Sequence, residues 1–369
     1  MGQQKLMKTQ SHFFFVTIAV LLLCQEPIEV MAQDDKQQIE SPTITKPSHP
    51  VPASPLWLTY HGVTGPGRGK HIVFVSAEQE YRSEQSLPML AKILSEKHGF
   101  DCTVLFALND KNEVDPTQKI RWQDKTVTHN VPGLEHLTSA DLLILFSRLI
   151  TLPDEQIQHL VTYIDSGKPI IGIRTANHGF LENFPYLKNG RKVRFGEDVL
   201  GGSFRGHHGN WHADSTRGII VDEMKDHAIL MGVKDIWGPS DVYRTYKEGE
   251  SLPDDCLALV LGQPLLGRSP TDGINPKKEP LPVAWFKHWT CSNGKSARVF
   301  HVTMGSAKDY QNPGLRRMTI NAAYWCLSME KQIDAASSVD IIGDYQPLES
   351  GFNYEKLKVV PKKPEAYRQ

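Results

Sequence analysis

Short apolar runs rich in β-branched residues, each followed by residues that recur at helical spacing, constrain this chain more than any other feature. His71 to Val75 reads as a strand, and Leu87, Leu90, Ala91 and Leu94 form one face of the helix after it. Cys102 to Phe106 is a second strand and Leu142 to Phe146 a third. The polar excursion between them, with Asn109, Asp110, Trp122 and Asp124, is a loop or insertion. Pro153 opens the next helix where its missing N–H is harmless, and Ile157, Leu160, Val161 and Ile164 supply its buried stripe before Gly167. Pro169 to Ile173 is a fourth strand. Continuous apolar strands are buried on both faces, so this order predicts an α/β fold with a doubly wound, mainly parallel sheet flanked by helices. Ligands of such sheets gather at the carboxyl ends of the strands.

Gly218 to Val221, Leu257 to Leu261, Val283 to Phe286 and Arg298 to Thr303 are further strand candidates with no convincing helix between most of them. They predict additional β elements, an antiparallel extension of the sheet or an attached β layer. Pro313 to Met329 is the last helix, and Lys356 to Gln369 reads as a loosely docked tail.

At the other end, Lys5 and Lys8 precede an apolar run from Phe13 to Leu23, followed by Val30-Met31-Ala32. The charged start, the small residues and a run well short of the roughly 20 apolar residues of a membrane-spanning helix predict a signal peptide over 1–32. The mature chain is then secreted or periplasmic, without a stable membrane span. Lipid anchoring at Cys24 is disfavoured by Leu23, which stands where a small residue is wanted. Residues 33–68, with Pro42, Pro47, Pro50, Pro52 and Pro55, form a Pro-rich flexible leader. The α/β domain follows over 69–332, and 333–369 is a C-terminal extension.

The charge balance excludes some partners. With 41 Lys+Arg against 42 Asp+Glu, a net charge of -1 provides no long-range field for a polyanion, so no nucleic-acid partner is expected. Cys102, Cys256, Cys291 and Cys326 are scattered and form no CxxC pair, which excludes a zinc ribbon or thioredoxin-type site and favours buried free thiols with at most one pair.

After the fourth strand stands Gly172-Ile173-Arg174-Thr175-Ala176-Asn177-His178-Gly179. Arg174 occupies the place of a Cys or Ser nucleophile, so thiol glutaminase and serine hydrolase chemistry are not expected here. Arg174 suits a structural ion pair and a ligand contact equally. The richest constellation runs from Leu200 to Asp214, where Gly201, Gly202, Gly206 and Gly209 allow close backbone approach. Within it, His207, His208 and His212 offer proton transfer, and Phe204 and Trp211 offer stacking surfaces. His208, His212 and Asp214 also admit a divalent-metal reading, but the glycines argue against the helix that would give that spacing meaning, so no metal ligand and no cofactor is assigned. Glu80, after the first strand, is a candidate general base with solvation as its alternative, and Asp241 either orients an imidazole or caps a turn. His301 alternates with the apolar Phe300 and Val302 and is expected to face solvent.

Several of these segments, in their order, resemble the ThuA-like, or trehalose-utilisation, domain over about residues 70 to 330. They are Gly172 to Ala176, Leu200 to His208, Asp226 to Ile229 with Asp241 to Tyr243, Pro282 to Trp285, and Arg298 to Gly305. The resemblance implies a class I glutamine-amidotransferase-like, flavodoxin-like fold without the catalytic Cys. It also implies a role in carbohydrate metabolism, with trehalose and related or oxidised (3-keto) glycosides as the substrate class. The family's GGxFxxH stretch falls on Gly201, Gly202, Phe204 and His207, and its acidic-x-Tyr motif on Asp241 and Tyr243. Two positions depart from the pattern: Arg174 and Ser306 stand where members often carry His.

The expectation is an exported protein acting on a disaccharide, glycoside or keto-sugar by His-based acid/base chemistry, as a hydrolase or lyase. His208, His207, Asp241 and Glu80 are its catalytic candidates, and Arg174, His178, Arg205, Trp211 and Tyr243 would hold the carbohydrate. The alternative is a noncatalytic carbohydrate-binding or assembly module on the same fold, and a homo-oligomer is left open.

Overall fold

The strands expected from the apolar runs all form, the central ones covered on both sides and the Gly218 run only partly buried. A computed structural model describes residues 51–181 and 184–368; the expected signal peptide and the first half of the leader lie outside the described residues. The first five strands are β1 (Trp57–Tyr60), β2 (His71–Ala77), β3 (Asp101–Phe106), β4 (Leu142–Ser147) and β5 (Ile170–Ile173). A short hairpin, β6 (Leu187–Lys188) and β7 (Arg191–Lys192), leads to β8 (Gly206–His207), β9 (Thr216–Ile220), β10 (Trp237–Gly238) and β11 (Tyr243–Arg244). The last three are β12 (Leu257–Pro264), β13 (Leu281–Thr290) and β14 (Ser296–Val302). The helices are α1 (Ser83–Glu96), α2 (Asp154–Asp165) and α3 (Pro313–Cys326).

Ten strands form one mixed sheet in the order β1-β3-β2-β4-β5-β14-β13-β12-β9-β10. Its central strands β3, β2, β4, β5 and β14 are parallel, and both flanks are antiparallel. The late strands therefore extend the same sheet. Two apolar cores show why the fold is doubly wound. Ile72 and Phe74 of β2 share one core with Leu87 and Leu90 of α1 and with Met318 and Ala322 of α3. Val73 and Val75 share the other with Leu160 and Ile164 of α2. Alternate residues of one strand thus feed opposite layers. Asn312 caps α3 by accepting the Leu315 N–H at 2.9 Å, with Pro313 at the first helical position. Among the described residues no helix is long and apolar enough to cross a membrane.

Three local expectations are corrected. β1 arises inside the expected leader, where Trp57 to Tyr60 pair antiparallel with β3. The tail is not loosely docked: Val359, Pro364 and Tyr367 are buried, and the Val114 N–H donates to the Lys362 carbonyl at 2.7 Å. His301 does not face solvent, because β14 lies inside the sheet and alternation carries its side chain from one core to the other. It is fully buried, with its ring 4.7 Å from Trp285. The four described cysteines are buried and free.

His301 makes the fold sensitive to acid. Burial pushes its imidazole from the ordinary 6.5 down to about 3. The unfolded chain takes up the proton first as pH falls, so this contribution is complete above pH 6.5 and is lost progressively toward 3. Urea unfolding at about pH 7.5 and 4.5 should show wild type losing roughly 2–3 kcal/mol more than His301→Leu across that interval. Equal losses in the two proteins would refute this account.

Candidate functional site

The carboxyl ends of β2, β4, β5 and β14 open on one edge of the sheet, and the loops leaving them are held by buried charges. After β2, the Glu78 carboxylate accepts the N–H groups of Glu80 at 2.5 Å, Tyr81 at 2.7 Å and Ser83 at 2.8 Å. Arg82 follows with φ 65°, and its buried guanidinium donates to the carbonyls of Gln79, Glu349 and Gly351. This clamps residues 349–351, part of the C-terminal extension, against the loop.

After β5 the chain turns at Arg174, whose φ is 45°. Its guanidinium is fully buried and donates to the Thr303 carbonyl at 2.6 Å, the Ser240 hydroxyl at 3.3 Å, the Asp241 carbonyl at 3.4 Å and Asp241 Oδ1 at 3.2 Å. It also stacks 3.9 Å from the centre of the Tyr81 ring. Arg174 is thus an internal brace rather than a group presented to a ligand, because Tyr81 and Tyr243 cover it. Burial raises the Tyr243 hydroxyl above the usual phenol range, and this O–H donates to the Arg174 carbonyl at 2.5 Å.

The second oxygen of Asp241 meets His207. Oδ2 lies 2.7 Å from His207 Nδ1, while the imidazole keeps 38% of its surface exposed. The short β8–β11 ladder sets this pairing, placing His207 opposite Tyr243. Burial raises the Asp241 carboxyl, but the His207 hydrogen bond and the Arg174 charge outweigh it and hold the group below its usual range. A carboxylate at Nδ1 selects the tautomer with its proton there and a lone pair on Nε2, the arrangement of a general base.

His208 does not join this pair. Adjacent strand residues point to opposite faces, and the His208 ring reaches the Glu279 carbonyl at 2.8 Å. Glu80 is not a solvated loop carboxylate either. It is buried, accepts Trp211 Nε1–H at 2.9 Å, faces His212 Nε2 at 3.5 Å and pairs with Arg148 Nε at 3.4 Å. Burial raises its carboxyl, but His212, Arg148 and Trp211 together hold it below the usual range, which makes it a poor proton acceptor near neutrality.

Trp211 links the two groups, with its ring centre 5.9 Å from that of His207. His178 is half-buried and lies 5.2 Å from Phe204, its Nδ1 2.7 Å from Asn177 Oδ1. Burial, and then Arg148 and Arg174, push its pKa well below the ordinary value, so it is neutral. His178 and Phe204 line a cavity of about 550 Å³ together with Phe180, Phe184 and Phe195. Arg205 lies instead on a second, charged cleft of about 540 Å³, paired with Glu197 at 2.8 Å.

The metal reading of His208, His212 and Asp214 is not supported by their directions. Asp214 is taken by Asn210, and among the described residues no group of three or more His, Cys, Asp or Glu could hold an ion. The sequence reading missed three side chains at this edge. Arg148 directly follows β4, so the strand-end rule that flags Glu80 and Arg174 also finds it. Trp122 and Phe352 come from distant loops and carry no local signal.

A family model described as ThuA, trehalose utilisation, matches residues 71–326. Among solved structures, the chain is similar to a thuA-like protein from Bacteroides uniformis at 14% identity and TM-score 0.42, over 72% of this chain and 94% of that one. It is also similar to a thuA-like protein from Parabacteroides merdae at 14% identity and TM-score 0.42, over 81% of this chain and 99% of that one. At those values neither likeness carries a functional argument. No curated protein matches the chain.

The brace predicts a stability effect. Arg174→Met strands the Asp241 carboxylate in a buried site and should cost about 3–5 kcal/mol in urea unfolding at neutral pH. A loss under about 1 kcal/mol, the range of an exposed pair, would contradict the bracing role.

Proposed function

The chain belongs to the ThuA, trehalose-utilisation family, whose link is to carbohydrate metabolism, and on that premise we propose that it is an exported protein that processes a sugar by acid/base chemistry at His207. The observation that carries this reading is the Asp241–His207 pair, whose imidazole lies 5.3 Å from Phe204, a wall of the aromatic cleft. We place the fold with the class I glutamine-amidotransferase-like proteins, Arg174 standing in the nucleophile's position. Residues 1–32 would serve as its signal peptide.

The chemistry of the site favours a keto-sugar over an unmodified glycoside. A conventional glycosidase needs one protonated and one ionised carboxyl group flanking the bond. Asp241 and Glu80 are both held ionised and both engaged by cations, so neither supplies the proton. A ketone acidifies the C–H beside it, and a single imidazole can then suffice. His207 Nε2 takes that proton, the electron pair forms a C=C bond to the anomeric carbon, and the glycosidic C–O bond breaks. The imidazolium, stabilised by Asp241, returns the proton to the departing oxygen. Trp211 and Phe204 supply apolar faces, and the neutral His178 a hydrogen-bonding group, for the ring.

The second reading is a noncatalytic carbohydrate-binding module, favoured by the complete engagement of Glu80 and Arg174 within the protein. Purified protein assayed against trehalose and its 3-keto form separates the two. Turnover should be confined to the oxidised sugar, and His207→Gln should lower it at least about 100-fold with little change in melting temperature. His208→Gln should leave turnover near wild type and reduce stability by about 1 kcal/mol through its lost carbonyl bond. Binding without turnover of either sugar would favour the module, and a silent His207→Gln beside an inactive His208→Gln would sink the assignment.

A further inference from the structure

We infer that a smaller cavity beside the site is a subsite for a second pyranose ring, so that the protein selects ligands of at least two sugar units. The inference rests on the carbohydrate reading above and adds what that reading leaves open, namely ligand length. The cavity, about 220 Å³, is lined by Gln79, Gln118, Gln123, Trp122, Arg148 and Phe352. Three amides and a guanidinium provide many neutral and cationic donors with carbonyl acceptors among them. Three aromatic side chains, those of Trp122, Phe352 and Tyr354, provide faces. That combination suits vicinal hydroxyls on a ring with apolar C–H faces, and it has no free carboxylate to repel or attract a charged ligand.

Two observations beyond the lining point to a ligand. Gln118 Nε2 is buried with no hydrogen-bond partner in the protein, a state that costs free energy unless something else accepts its proton. Trp122 is 72% exposed, the most exposed large apolar side chain among the described residues, and Phe352 is 38% exposed. The two rings share one cavity, so they form an exposed apolar patch rimmed by polar side chains, the pattern of a binding groove.

The position fits an extended ligand. Trp122 lines both this cavity and the larger one that holds His178 and Phe204. Arg148 belongs to the cavity wall and pairs with Glu80, and the Phe352 ring stands 6.3 Å from Trp211. A chain of rings and amides therefore runs from His207 past Trp211 and Phe352 to Gln118.

The test compares a one-ring probe, methyl α-glucoside, with a two-ring probe, trehalose, each unoxidised and as its 3-keto form. Binding is read by calorimetry on the mature chain carrying His207→Gln, so that no turnover intervenes. Trehalose or its keto form should bind more tightly than the matching one-ring probe. Gln118→Leu should weaken the two-ring probe about tenfold and leave the one-ring probe within about twofold, whereas Trp122→Ala, which trims both cavities, should weaken both probes and the two-ring probe more. Trp122 is exposed enough that its variant should keep the parent melting temperature, which circular dichroism checks. One- and two-ring probes that bind equally, or that are weakened equally by the variants, would overturn the subsite while leaving the carbohydrate reading intact. Failure of all four probes to bind would overturn that reading and the subsite with it.

Discussion

The buried cation Arg174 organises the centre of the carboxyl edge of this sheet. Arg174 has lost its water entirely, and its charge is offset by the Asp241 carboxylate, the carbonyls of Asp241 and Thr303, the Ser240 hydroxyl and the face of Tyr81. These partners come from the loop after β2, the segment before β11 and the end of β14. Satisfying one charge therefore brings together three pieces of chain far apart in sequence. The candidate base depends on that convergence, since Asp241 uses one oxygen for Arg174 and the other for His207.

Arg174 and Ser306 belong to the same network. Ser240, which accepts from Arg174, is itself held by Asp309, which takes both its N–H and its hydroxyl. The same Asp309 accepts the N–H groups of Gly305 at 2.8 Å and Ser306 at 3.0 Å. Arg174 and Ser306 are thus connected through two residues. A cation at the elbow needs a carboxylate and a set of oxygens around it, and the Ser306 hydroxyl in turn accepts the Asp309 N–H at 3.2 Å. Both positions thus serve as scaffold, while His207 remains partly exposed.

The layered architecture was legible because burial on both faces writes itself into continuous apolar runs, and β2 to β5 fall within a residue or two of their expected limits. Side-chain direction was far less legible. His207 and His208 look equivalent in sequence, and only the pairing of β8 with β11 decides that one meets Asp241 and the other Glu279. His301 misled for a related reason: alternation signals solvent only on a strand with one wet face, and β14 has none. Trp122 and Phe352 were invisible because their convergence is set by the Arg82 clamp and the packing of distant loops, not by any local pattern.

The charges that remain decide what such an edge can recognise. Glu80 is matched by Arg148 and Asp241 by Arg174, so each carboxylate near the cleft is cancelled within a few ångströms. What faces outward is an imidazole, amides, aromatic rings and, on the wall of the larger cavity, Lys192 with an Arg194 that is matched by Glu197 and Asp198, a surface of mixed rather than single sign. An anionic or cationic ligand would find little Coulombic attraction there, whereas a neutral polyhydroxylated ring would find directional donors and apolar faces at no cost of unpaired charge. The pairing that fixes the loops thus also sets the ligand class, because a carboxylate engaged by an arginine can neither repel a substrate's oxygens nor protonate them. The imidazole is left as the group free to move a proton.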